Sequence, residues 1–144
     1  MQAVYRVWSL IVVGAVLLQI GFAGYGAFYT AHKVDDNPVN EDTFEDGWGM
    51  HAGFGYLVIL LGLLFVFVAL GARVGKQRTF RVLGLFGLMI LQLLLAWFGF
   101  EFPIIGVLHP INAFLILGFS LSIAYQAWRG PAPVEAVAAP EPAA

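Results

Sequence analysis

Two histidines carry the chemistry that this sequence offers. His51 stands in "GWGMHAGFGY" and His109 in "VLHPINAF", each near the boundary of a long uncharged run. Counting from His51, the residues at plus 4, 7, 11 and 18 are Gly55, Val58, Gly62 and Ala69. From His109 they are Ala113, Ile116, Ser120 and Ala127. These offsets share one face of a helix, so each histidine heads a stripe of mostly small side chains. A neutral imidazole nitrogen is a good metal donor, and small residues beneath two such donors leave a slot between helices where bulky side chains would ordinarily pack. A flat porphyrin suits that slot. Two axial histidines would hold haem b as a low-spin centre, suited to electron transfer or to storing haem. Gln19 and Gln92 add an amide each, to bond one another or a cofactor edge, since an amide in hydrocarbon needs a partner.

The elements that must position these residues are membrane helices. The 144 residues are 60% apolar and only 11% charged, against roughly 25% charged in a soluble domain, so the chain reads as an integral membrane protein. Its mean hydropathy of +0.85 agrees. Uncharged runs at 7–31, 47–72, 82–100 and 102–128 each come near or exceed the ~20 residues a span needs, which predicts four transmembrane helices. The first run is longer than the ~7–15 residues of a signal-peptide core and is expected to remain as a helix. With no cysteine there is no disulfide and no thiolate ligand.

Arg6, Arg73, Lys76, Arg78, Arg81 and Arg129 fall on one side of four alternating helices and Lys33 on the other. The positive-inside tendency then puts both termini in the cytoplasm of a cell, expected to be bacterial, with the chain in the plasma membrane. Tyr5, Trp8, Tyr125 and Trp128 are expected at the inner boundary, and Tyr25, Tyr29, Trp48 and Trp97 at the outer one. Residues 73–81 read as a short basic inner turn and 101–106 as a tight outer one. The long connection, 32–46, carries six carboxylates. In it Asn37 with Pro38 reads as a helix-start signal and Thr43 with Asp46 as a weak capping pair, so the second helix should begin before its membrane segment. Domain 1–129 is thus a four-helix transmembrane unit. The Pro/Ala-rich tail, 130–144, is expected to be a disordered cytoplasmic extension.

An internal repeat ties the two histidines together. Gly14, Gln19, Ala23 and Gly26 in the first helix match Gly87, Gln92, Ala96 and Gly99 in the third, at identical spacing. Helices two and four match from their histidines onward. The expected fold is therefore an all-α, antiparallel four-helix bundle of two tandem hairpins, related by a pseudo-twofold axis along the bilayer normal. That symmetry sets His51 and His109 at equal depth near the outer face.

The segments "LQLLLAWFGF" and "LHPINAF" resemble one four-helix half of the haem A synthase family, whose eight helices form two bundles with a histidine pair in each. The likeness covers roughly residues 5–128, extends to small actinobacterial-type four-helix membrane proteins of unassigned function, and implies a haem-ligand role for His51 and His109. The chain departs from the family at two points. Trp48 occupies the place of the family's glutamate three residues before the histidine, and the outer-loop cysteine pair of many members is missing. Haem binding, not haem oxidation, is what the resemblance implies.

Plainer roles stand beside these. A histidine at a helix end is commonly an interfacial group bonded to a carbonyl or water. Glutamines can act as interhelical glue, and Gly49 with Gly53 forms a G-x3-G pair that permits close helix packing. The acidic connection lacks the spacing of a calcium loop and reads as a solvated face, although with His32 it could take a hard cation. Glu101 could handle protons near the site or cap a helix. No Ser/His/Asp set, H-E-x-x-H or glycine-rich phosphate loop is present, so hydrolytic, nucleotide and nucleic-acid functions have no visible basis. The expectation is a membrane b-type haem protein for electron relay with a quinone or respiratory partner, or for haem handling in cytochrome assembly. A cofactor-free accessory subunit of a larger membrane complex is the alternative.

Overall fold

The structure is a computed structural model that describes residues 1–34 and 39–129. In lipid no water can satisfy an open backbone, so a chain this apolar must bond its amides within helices. Five are present among the described residues: α1 (Gln2–Val34), α2 (Glu41–Gly71), α3 (Lys76–Glu101), the single-turn α4 (Pro103–Gly106) and α5 (Leu108–Arg129). α1, α2, α3 and the α4–α5 unit are each long and apolar enough to cross a membrane. Their outward faces are crowded with exposed Leu, Ile, Val and Phe, as hydrocarbon contact requires.

Local chemistry sets the helix ends. Asn40 caps α2, its Oδ1 accepting from the Thr43 backbone N–H at 2.9 Å and from Thr43 Oγ1 at 2.8 Å, with Glu41 and Asp42 in the dipole-favoured first turn. α2 does begin ahead of its uncharged run, but Asn40 is the cap and not the expected Thr43–Asp46 pair. Asn37 and Pro38 lie outside the described residues, as does the tail 130–144. The basic stretch 73–81 is not mainly a turn. Reversal takes only residues 72–75, where Arg73 (φ 50°) and Gly75 (φ 91°) adopt left-handed backbone, and helix resumes at Lys76 because Lys, Gln and Arg favour it. At 101–106 the expected tight connection contains α4, with Pro103 at its first position where no N–H is needed. Glu101 ends α3, and the cap position before α4 is Phe102, so Glu101 caps neither.

The helices form a ring in which α1 and α3 each pack on α2 and α5. Packing is uneven along it. Tyr5, Val12, Phe65, Leu85, Met89 and Ile123 fill the half built from the start of α1, the end of α2, the start of α3 and the end of α5. Tyr5 is thus a core residue, 2% exposed and stacked on Phe65 at 5.3 Å, and not the boundary aromatic expected from its place in the chain. Trp8 likewise turns inward, donating from Nε1 to the Leu61 carbonyl at 3.2 Å. The other half, around the histidines, has far fewer buried side chains.

Two close approaches join neighbours at the histidine end. A Cβ on Gly26 would lie 2.7 Å from the Trp48 ring and 2.9 Å from the Gly47 carbonyl, and one on Gly99 would lie 2.9 Å from Gly106 Cα. Gly26→Val therefore has to push α1 from α2 and is expected to cost about 1–3 kcal/mol, whereas Gly14→Ala, with open space around its Cβ, should be neutral or slightly stabilising. Unfolding midpoints of the two variants in detergent check this, Gly26→Val falling and Gly14→Ala holding.

Candidate functional site

His51 sits in the second turn of the apolar part of α2, and His109 in the first turn of α5, where Pro110 costs no helical hydrogen bond. Their ring centroids lie 6.1 Å apart with planes at 68°. Each ring is held in the same way. His51 Nδ1 meets the Gln19 backbone carbonyl at 3.1 Å, and His109 Nδ1 meets the Gln92 carbonyl, also at 3.1 Å. A carbonyl only accepts, so at His109 Nδ1 carries the proton and Nε2 keeps its lone pair, whereas His51 Nδ1 faces both the Gln19 carbonyl and the Gln19 amide nitrogen.

The local sequence explains why these carbonyls are open. A helical side chain covers the turn before its own Cα, and the residues four after the glutamines are Ala23 and Ala96. A methyl group leaves room for an imidazole to reach the carbonyl's second lone pair. The matched Gln and Ala spacing of α1 and α3 thereby acquires a mechanical meaning.

The glutamine side chains differ between the halves. Gln19 Nε2 donates to the His51 carbonyl at 2.8 Å and lies 3.1 Å from His51 Nδ1, while its Oε1 is buried without a partner among the described residues. Gln92 Oε1 instead accepts from Asn112 Nδ2 at 2.8 Å, and Asn112, only 3% exposed, also donates to the Leu88 carbonyl at 2.9 Å. Asn112 stands three residues after His109. The residue three after His51 is Phe54, packed edge-on against Phe22. One half thus anchors its glutamine through an amide chain, and the other packs hydrocarbon at that point.

A cavity of about 650 Å³ surrounds the rings, within the size range of small-molecule and cofactor sites. His51, His109, Gln19, Gln92, Gly55 and Ala113 all line it. Gly62 and Ser120 do not. The side of Gly62 is occupied by Met89 Sδ, and Ser120 is buried with its hydroxyl on the Leu117 carbonyl, so the lower part of each small-residue stripe serves helix packing. Trp48 forms one wall, its ring 5.8 Å from that of His51 and its Nε1 donating to Thr30 Oγ1 at 3.1 Å. Tyr56, Trp97 and Phe100 line the cavity yet are 64%, 73% and 74% exposed, which puts its mouth between α2 and α3 on the outward face. Comparison of the chain with family models, with curated proteins and with solved structures gives no match.

The donor set limits what the cavity can hold. Among the described residues no three His, Cys, Asp or Glu side chains converge, so a metal bound by protein ligands alone lacks donors. Two imidazoles on one metal, at about 2.0–2.1 Å per bond, would hold their ring centres roughly 6 Å apart, close to the separation found. The two imidazoles supply two donors at most, so any further ligands would have to come with the metal. The acidic residues of α2 stay apart from it: Asp46 Oδ2 accepts from Tyr29 OH at 3.2 Å, and no cation cage forms among the described residues.

Asn112 and the cavity wall at Trp48 were not singled out as site residues by sequence reasoning. An amide three residues after a histidine, inside an apolar run, was the available signal for the first. Asn112→Leu leaves Gln92 Oε1 without its donor in a buried setting and is expected to cost on the order of 1–3 kcal/mol. A double-mutant cycle with Gln92→Leu, followed by unfolding in mixed micelles, should return a coupling well above zero.

Proposed function

We propose that this protein is a multi-pass membrane haem protein, with His51 and His109 as the two axial ligands of a b-type haem. The observation that carries the reading is the pair of imidazoles 6.1 Å apart, each with Nδ1 engaged by a backbone carbonyl. Such a bond on one ring nitrogen fixes the tautomer and raises the donor strength of the other. The bound haem would supply one-electron redox chemistry.

The chain's own residues divide the remaining work. The Gln19 and Gln92 carbonyls hold the rings; Gly55 and Ala113 keep the space beside them open; Trp48 walls one side. Gln92, tethered by Asn112, keeps its Nε2 for a polar edge of the ligand. The surrounding scaffold in this reading is an antiparallel bundle of two duplicated hairpins with both termini cytoplasmic, in a bacterial plasma membrane, and the site near the outer surface. The likeness of "LHPINAF" and its neighbouring segment to haem A synthase motifs supports the haem assignment. Trp48 in place of the family's glutamate favours electron relay, with a quinone or respiratory partner, or haem delivery during cytochrome assembly over haem oxidation. A cofactor-free accessory subunit is the second reading, favoured by Gly49 and Gly53, around which a Cβ would meet nothing within 4 Å. Such an open small-residue face suits a partner helix.

Optical spectra separate the two. Protein purified in mild detergent with haem supplied is expected to show the sharp reduced α band of a six-coordinate b-type haem. His51→Ala and His109→Ala should each abolish it without loss of folded protein. A band unchanged in both variants would place the haem elsewhere, and no band in the parent protein would favour the accessory subunit.

A further inference from the structure

At the end of the molecule opposite the histidines, six cations gather on the start of α1, the α2–α3 connection, the start of α3 and the end of α5. The described carboxylates, Glu41, Asp42, Glu45, Asp46 and Glu101, all lie at the other end of their helices. Four of the cations rest instead over aromatic rings: Arg6 over Trp128, Lys76 over Phe80, Arg81 over Phe119 and Arg129 over Tyr125, at 4.4–6.0 Å from the ring centres. Such contacts orient a cation without cancelling its charge.

Two of these pairs, Lys76–Phe80 and Arg81–Phe119, line a single groove between α3 and α5, about 550 Å³ in volume, with Gln77 beside them. Arg81 is fixed there by a hydrogen bond from Nη2 to Ser122 Oγ, and its buried Nε–H has no acceptor among the described residues. α3 also starts in this groove without a side-chain cap, since Gly75 precedes it. Two cations and an unmet Nε–H call for an anion, and the exposed Phe80 ring beside them calls for hydrocarbon.

We propose that the α3–α5 groove binds an anionic phospholipid, its phosphate between Lys76 and Arg81 and its acyl chains along Phe80 and Phe119. Charge complementarity commits the groove to this occupant, because one lipid supplies both the oxygens that its cations demand and the chains that its aromatic rings demand. The inference is independent of the haem assignment.

Native mass spectrometry of the full chain, released from micelles containing equal phosphatidylglycerol and phosphatidylcholine, tests it. Phosphatidylglycerol should be retained preferentially, and Lys76→Gln should reduce its retention on the order of fivefold, the effect of about one surface charge. Gln77→Glu, at an exposed position on the groove, should reduce it at least as much by repulsion, which keeps the test open if Lys76→Gln fails to fold. Equal retention of the two lipids, or an unchanged preference in both Lys76→Gln and Gln77→Glu, would overturn the proposal. So would displacement of the lipid by excess inorganic phosphate, which would mark a site for the free anion.

Discussion

The structure depends on a cost imposed by hydrocarbon: a buried polar group left without a partner in the protein is expensive. Backbone amides avoid it by forming helices. The two imidazoles avoid it through carbonyls already engaged in helices, those of Gln19 and Gln92, and that single kind of contact connects α1 to α2 and α3 to α5 at one level. The alanines four residues later and the glycines nearby all follow from letting helices and rings approach closely enough to make it.

The two halves use that contact under different constraints. Around His109 an amide chain through Asn112 steadies Gln92, while around His51 the Gln19 side chain folds back onto the histidine's own carbonyl; among the described residues each arrangement leaves one buried amide oxygen unmet, Asn112 Oδ1 and Gln19 Oε1. The close approach of α1 to α2 involves Trp48, and that of α3 to α4 involves only glycines. The Gln19 amide therefore stands against the His51 ring itself, beside Trp48, whereas the Gln92 and Asn112 side chains bond to one another.

Much of this was legible in the residues. Four spans could be read because charge is confined to their ends, and His51, His109, Gln19 and Gln92 stood out because polar groups in hydrocarbon are costly. The start of α2 before its apolar run was legible too, though its cap was not: Asn40 competes with several equally suitable neighbours, and only geometry chooses. Tyr5 was misplaced because an aromatic near a helix end has the same composition whether it faces headgroups or Phe65. Gly62 read as open space because a sequence cannot show that a flexible methionine from another helix fills it. The basic stretch read as a turn because its charges obscured good helix formers, and the left-handed Arg73 that allows a four-residue reversal gives no compositional sign.

The contrast between a filled basal half and a hollow upper half has a mechanical consequence. Resistance to bending comes from interlocked side chains, and here it is concentrated around Phe65, Leu85 and Ile123. The bundle is built like a clasp closed at one end: thermal breathing gathers at the imidazole level, where helices can part by small rotations without disturbing the interlocked layer below.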